Sequence, residues 1–260
     1  DTDDGMRRWP FRPIERLMHR RVDRLTVPSE RFVSGFLQPL RLLPDHLTPV
    51  FVANAPWRRT FEGLGPPRTN AFVIGYVGSF RCAPAIQWLL GSVARARALG
   101  AAVEVRFAGT GLERPLVERA AADLPFVTYT GPYEYEADIR GIFSGLDAVY
   151  AVYDDTADKR THLACRLSDA VASNRAIFVA KGTYMADIVE EHRLGYVVDP
   201  GDAATLAAAV LDASQRRDQW RAAGRITPAL REAHCFDTYV PRLEALYGEA
   251  LARRQAPGHA

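Results

Sequence analysis

Long apolar runs are missing from this 260-residue chain, and no window approaches the roughly 18 consecutive apolar residues of a membrane-spanning helix. The opening Asp1–Gly5 is acidic, with no Met and no apolar stretch, so we expect no signal peptide and a fragment or a processed chain. Cysteine is scarce. Cys82, Cys165 and Cys235 are odd in number and form no CxxC pair, which argues against a disulfide framework or zinc site and for a reducing, cytoplasmic compartment. Lysine is scarcer still: of 33 basic residues only Lys159 and Lys181 are lysine, leaving 31 arginines. An excess of charge of either sign is also lacking. The 33 basic and 31 acidic residues net +2, too balanced for a dedicated nucleic-acid binder.

The chain is 48% hydrophobic and 25% charged, the composition of a folded domain rather than of disordered or coiled-coil sequence. Phe72–Gly78 (FVIGYVG) is a short, apolar, β-branched run closed by Gly, as a strand buried on both faces of a parallel sheet reads. The same signature returns at Val103–Gly109, Phe126–Gly131, Asp147–Val152, Ala176–Ala180 and Gly195–Val198. Helical patterns lie between most of them, at Ile86–Leu99, Leu112–Ala122, Asp138–Ser144, Leu163–Ala172 and Met185–Glu191. Strands alternating with helices predict right-handed crossovers and an α/β, Rossmann-like doubly wound parallel sheet.

Residues 71–235 form that domain, with Ala203–Ser214 a further helix. Ahead of it, residues 1–56 hold an Arg-rich helix (Pro13–Arg24), a strand (Leu25–Val27), a Ser29-capped helix (Glu30–Leu37) and a second short run, Val50–Ala53. Two such strands cannot sustain a sheet alone, so this segment reads as the tail of an incomplete second domain. The Gly- and Pro-rich stretch 57–70 reads as a linker, and 236–260 as a helix packing back on the N-terminal segment, then a polar tail. We expect self-association, or a partner supplying the missing part, through these outer segments. Any membrane contact by the Arg-rich helix is at most peripheral.

Three loops at carboxyl ends of strands carry candidate chemistry. Gly78-Ser79-Phe80-Arg81 offers close backbone approach, a hydroxyl and a guanidinium fork for a diphosphate; an ordinary turn with a solvated Arg is the alternative. Arg166-Leu167-Ser168-Asp169 opens a helix whose free amides suit a phosphate and whose carboxylate suits ribose hydroxyls; a helix-capping Asp is the alternative. Gly131-Pro132-Tyr133-Glu134-Tyr135 could border a nucleobase, or be a turn with partly buried aromatics. The Gly-Thr-Gly at 109–111 lacks the third glycine of a dinucleotide fingerprint and the acid about 20 residues later, which sets aside an NAD-type epimerase or dehydrogenase. Asp154, Asp155 and Asp158 read equally well as a solvated loop or a metal cluster, and His162 as a loop residue. No nucleophile elbow or activated thiol is present.

Taken in order, these pieces resemble the carboxyl-terminal half of a GT-B glycosyltransferase of the GT4-like family. The series runs from Arg21–Glu30 (RVDRLTVPSE) and Val52-Ala53-Asn54 to Ile74–Arg81 (IGYVGSFR), Phe107–Gly111 (FAGTG) and Tyr129-Thr130-Gly131. It closes with Arg166–Thr183 (RLSDAVASNRAIFVAKGT) and Gly195–Asp202 (GYVVDPGD). The resemblance implies that the main sheet binds a UDP- or GDP-type nucleotide sugar as substrate, with no other cofactor and no metal, for transfer with retention to an unidentified sugar or small-molecule acceptor. Asp169 falls where the family has a ribose-holding Glu. Ser79 and Arg81 fall where it grips the diphosphate, the amides near Leu167 and Ser168 assist, and Gly131–Tyr133 borders the base. Thr161 stands where the family has an acid, and roughly two thirds of a ~150-residue acceptor-side domain is absent. A non-catalytic nucleotide-sugar-binding or scaffold protein paired with a separate N-terminal domain is the alternative.

Overall fold

The computed structural model describes residues 12–153, 161 and 163–255. The N-terminal segment contains α1 (Arg12–His19), β1 (Thr26–Val27), α2 (Glu30–Phe32), which runs on into a π turn at Val33–Leu37, and β2 (Val50–Phe51). The helix predicted over Pro13–Arg24 stops early. The amides of Arg21 and Val22 turn back to the carbonyls of Met18 and His19, while His19 Nδ1 is 2.6 Å from the Leu42 carbonyl. Ser29 caps α2 as expected, its Oγ accepting the Phe32 amide at 3.0 Å. β1 and β2 pair in parallel over two residues each, beside a small core of Val27, Leu37, Leu40 and Leu42.

After α3 (Arg58–Phe61), strands and helices alternate: β3 (Phe72–Ser79), α4 (Ala83–Ala98), β4 (Val103–Thr110), α5 (Arg114–Asp123), β5 (Val127–Tyr129), α6 (Tyr135–Ser144) and β6 (Ala148–Ala151). The second run comprises α7 (Cys165–Ala172), β7 (Ala176–Ala180), α8 (Tyr184–His192), β8 (Gly195–Val198) and α9 (Ala203–Gln215). The chain closes with α10 (Arg217–Arg221), α11 (Pro228–Ala233), a 3₁₀ turn at Phe236–Tyr239 and α12 (Val240–Gln255). The six long-sheet strands are all parallel in the order β5-β4-β3-β6-β7-β8, the doubly wound topology the alternation predicts.

Strand alternation divides the core. Phe72, Ile74 and Tyr76 of β3 pack with α4, α5 and α9, while Val73 and Val77 pack with α6, α7 and α8 on the opposite face. Each fully buried side chain of this size contributes about 1.5–3 kcal/mol, and together they hold the strand ends in fixed register. At the amino end of β6, the buried Asp147 carboxylate accepts the Val73 amide at 2.9 Å and a two-point grip from Arg221, at 2.5 and 3.0 Å.

Stretch 57–70 is no open spacer. Phe61 is buried against Phe143, ring centroids 5.1 Å apart, and Gly65 O accepts Arg175 Nη2 at 2.8 Å. Its Gly and Pro content gave no hint of that docking, because one buried aromatic decides it. The last helix meets the N-terminal segment: Arg24 pairs with Glu249 at 2.5 Å, and a cavity of about 610 Å³ lies between Val27, Val50, Arg242 and Leu246. Among the described residues no helix is long and apolar enough to cross a membrane.

Candidate functional site

The strand order reverses between β3 and β6, so their carboxyl ends border the crevice where open α/β sheets take ligands. β3 leaves the sheet through Gly78, whose φ of +113° a side chain rarely adopts. A Cβ there would also stand 2.3 Å from Arg166 Nη2. Gly109 lies opposite Gly78 in the ladder, with φ +138°, and a Cβ on it would strike the Gly78 carbonyl oxygen at 1.9 Å. Beyond Gly78 the loop is pinned by Phe80, fully buried against Tyr76 and Phe107, which leaves Ser79 and Arg81 facing solvent. These two are joined: Arg81 Nε donates to Ser79 Oγ at 2.9 Å. Gly131 adjoins them through its carbonyl, which accepts the Gly109 amide at 2.8 Å.

Helix α7 supplies the second half. Arg166 folds back under β3, donating from Nε to the Val77 carbonyl and from Nη1 to the Tyr153 hydroxyl, with its guanidinium 5.7 Å from the ring centres of both Tyr76 and Tyr153. Burial works against its charge, but the phenols of Tyr153 and Tyr76 and the Cys165 thiol outweigh it and leave its pKa raised. One turn on, Asp169 is 3% exposed and accepts the Tyr135 hydroxyl on Oδ1 at 2.6 Å. Burial lifts its carboxyl to about 6, against the opposing pull of the Tyr135 bond and Arg166. Tyr133 is half-buried, its hydroxyl raised by burial with Arg166 and Asp169 in its field. The structure thus gathers Gly78, Tyr133, Arg166 and Asp169 into one cluster, with Ser79, Arg81 and Gly131 on the adjoining strand ends.

The side chains of Leu167 and Ser168 turn inward. Leu167 is a fully buried core side chain, and its amide donates to the Ala164 carbonyl at 3.0 Å, while the amides ahead of it, of Cys165 and Arg166, turn to the Cys165 sulfur. Ser168 is buried too, its Oγ 3.3 Å from His234 Nδ1, a packing joint to the residue after α11. Helical geometry explains both, since positions one and two beyond Arg166 rotate away from the face it shares with Asp169. Sequence reasoning missed Tyr76 and Tyr153, and took Tyr135 only as a neighbour of a base. Nothing in local spacing signals a contact made 34 positions away.

The remaining expectations fall elsewhere. Thr161 holds the N-terminal segment: its carbonyl accepts Ser29 Oγ at 2.7 Å, and its methyl fills the space a Cβ on Gly35 would need. Asp154, Asp155, Asp158 and His162 lie outside the described residues. Among the described residues no group of three or more His, Cys, Asp or Glu is placed to hold a metal ion.

By structure the chain is similar to the pneumococcal O-GlcNAc transferase GtfA crystallised with UDP and GlcNAc (TM-score 0.69, 15% identity, 93% of this chain and 48% of that one). It is similar also to the sucrose-phosphate synthase of Thermosynechococcus elongatus (0.70, 16%, 93% and 62%) and to Anabaena HepE in complex with UDP (0.69, 14%, 96% and 68%). At these identities the likeness is one of fold. The chain spans about half the length of the pneumococcal enzyme. No curated protein matches it in sequence. The family profile described as "Glycosyl transferases group 1" matches residues 71–216, which cover β3 to the end of α9 and every side chain of the cluster. With more than half of its residues inside that match, the chain belongs to the group 1 glycosyl transferases.

Proposed function

We propose that this chain is the donor-binding portion of a GT4-like glycosyltransferase that takes a UDP- or GDP-type nucleotide sugar and transfers the sugar, with retention and without a bound metal, to a sugar or small-molecule acceptor. The observation that carries the reading is the cluster itself: a positive-φ glycine, a partly buried arginine and a buried carboxylate converge at the carboxyl edge of the sheet, under an exposed Ser79–Arg81 pair. In this reading Asp169 accepts ribose hydroxyls and Gly131–Tyr133 borders the base. Arg81, Ser79 and the amino end of α7 face the diphosphate.

As the bond between sugar and diphosphate breaks, negative charge grows on the departing phosphate. In this reading the Arg81 guanidinium and the amino end of α7 stabilise that charge, so the chemistry needs no nucleophilic side chain from this portion. Arg166 fits a supporting part: its hydrogen bonds to Val77 and Tyr153 hold a fixed positive charge beneath the loop. The acceptor and the groups that bind it belong to the acceptor side of the cleft, supplied by the rest of a longer polypeptide or by a partner. UDP is the first nucleotide to try, because the pneumococcal and Anabaena proteins were crystallised with it. A cytoplasmic site of action is part of the same proposal.

The test is calorimetry with UDP, GDP, ADP, TDP and NAD on the wild type and on Arg81→Ala. One nucleoside diphosphate is expected to bind and to lose at least tenfold in affinity, about 1.4 kcal/mol, in the variant. Binding of NAD alone, or a nucleotide indifferent to Arg81, overturns the reading. Thr161 favours a second one: where the family has an acid, this chain has a residue committed to the N-terminal segment. A protein that binds the nucleotide sugar without transferring it fits that observation, and release of nucleoside diphosphate from the donor by the whole assembly separates the two.

A further inference from the structure

Asp169 is a buried carboxylate that already holds a hydrogen bond on one oxygen. Its Oδ1 accepts a 2.6 Å hydrogen bond from the Tyr135 hydroxyl, and the residue is only 3% exposed. The length is that of a charge-assisted O–H···O⁻ bond. A ribose offers two vicinal hydroxyl donors, which fit a carboxylate best with one on each oxygen; the phenol already takes one of the two lone pairs of Oδ1, and its ring crowds the approach of a second donor to the other. We propose that Tyr135 competes with the donor ribose for Asp169, so that the nucleotide is read through a single hydroxyl unless the phenol swings away. This rests on the donor-site reading above and adds a specificity-determining residue to it.

The position of Tyr135 suits a displaceable group. It is the first residue of α6, and its side chain is 37% exposed although its hydroxyl meets a buried carboxylate. The helix start does not depend on that hydroxyl: the Glu134 amide donates to Asp138 Oδ2 at 2.9 Å, holding the first turn from within. Rotation of the Tyr135 side chain therefore leaves the helix intact, and the four-residue loop from Gly131 ahead of it lies outside helix and strand. Asp is also one methylene shorter than Glu, so Asp169 has less reach with which to shift past the phenol. The groups in the field of Asp169 are Tyr135 and Tyr133 from the α6 side, and Arg166 and Cys165 from its own helix. Arg166 is held by Val77 and Tyr153, so Tyr135 is the movable member of the set.

The experiment compares wild type with Tyr135→Phe, which keeps the ring and removes the donor. The Asp169 carboxyl is first titrated by ¹³C NMR in both proteins without nucleotide, and binding of UDP and of 2′-deoxy-UDP is then measured above the higher of the two pKa values. In the variant UDP is expected to bind about tenfold more tightly, while 2′-deoxy-UDP, which presents one hydroxyl, changes less than about twofold. The Asp169 pKa is expected to rise, because the bond that opposes the effect of burial is gone; a ring acting only as packing leaves it where it was. Equal changes for both nucleotides, weaker UDP binding, or an unmoved Asp169 pKa overturns the competition and leaves the donor reading standing. Failure of either protein to bind any nucleotide, with the two titrations still distinct, overturns the donor reading and the competition with it.

Discussion

Between about pH 4 and pH 6, Asp169 and His234 are expected to pull the stability of the fold in opposite directions. Burial raises the Asp169 carboxyl from 3.8 to about 6, with the Tyr135 bond and Arg166 resisting. The folded chain therefore holds this proton where the unfolded chain has released it. Stability falls as pH rises through that window, by about 3 kcal/mol for a shift of two units. Burial lowers the His234 imidazole from 6.5 to about 4, and His192 adds to it. Here the unfolded chain binds the extra proton, so stability is full above pH 6.5 and is lost as pH falls toward 4, again by about 3 kcal/mol. The two residues are linked through α7, His234 lying 3.3 Å from Ser168, the neighbour of Asp169.

The two slopes nearly cancel in the wild type, and single substitutions should uncover each. Urea unfolding at several pH values between about 4 and 7 gives the assay, read as differences between proteins so that other carboxylates drop out. Asp169→Asn keeps an acceptor for Tyr135 and should gain stability relative to wild type as pH rises from about 4 to 6, by about 2–3 kcal/mol. His234→Asn should lose about the same amount over that range, because only the Asp169 slope remains. A flat difference curve for Asp169→Asn would refute the reasoning, since it would mean the carboxyl titrates alike in the folded and unfolded chain.

Two further predictions concern the frame around the site. Arg221→Met should cost about 3–5 kcal/mol in chemical unfolding by leaving Asp147 buried without its cation, and adding Asp147→Asn should return a large part of it; equal losses in the single and double variants would count against the pairing. Gly109→Ala should cost at least about 1–3 kcal/mol and weaken nucleotide binding as well, because its Cβ must push the Gly78 carbonyl out of the loop; unchanged affinity in a folded variant would show that the Gly78 backbone does not shape the site.

The sheet was legible because a strand covered on both faces has little choice of residue. Ala176–Ala180 and Gly195–Val198 form with the very bounds their apolar runs suggest, and Phe126–Gly131 shortens only to Val127–Tyr129. What escaped was short and settled by tertiary contact. Thr227-Pro228 is a readable helix start, and Thr227 Oγ1 does accept the Leu230 amide at 3.2 Å, but six residues between turns gave no periodicity to support it. The docking of 57–70 escaped for a similar reason: composition reports the Gly and Pro content and cannot report that the Phe61 ring finds Phe143.

The site was legible to the extent that helix geometry is. Arg166 and Asp169, three apart on α7, share a face, and by the same rule Leu167 turns into the core. The direction of Arg166 was beyond reach, because a guanidinium can face a ligand or bind its own fold, and the Val77 carbonyl that decides it lies 89 positions earlier. The Gly-Thr-Gly at 109–111 makes the same point from the other side. Matched against a dinucleotide fingerprint it fails; the structure shows another use for it. A Cβ on Gly109 meets Gly78 O at 1.9 Å and one on Gly111 meets Phe80 O at 2.5 Å, so both glycines admit the backbone of the loop next door. A glycine pattern records where main chain passes close, and the passing chain can be the protein's own. Here it is the loop carrying Ser79 and Arg81, so the two motifs weighed separately in the sequence form one structural unit, and a side chain added to either strand end must disturb the same loop.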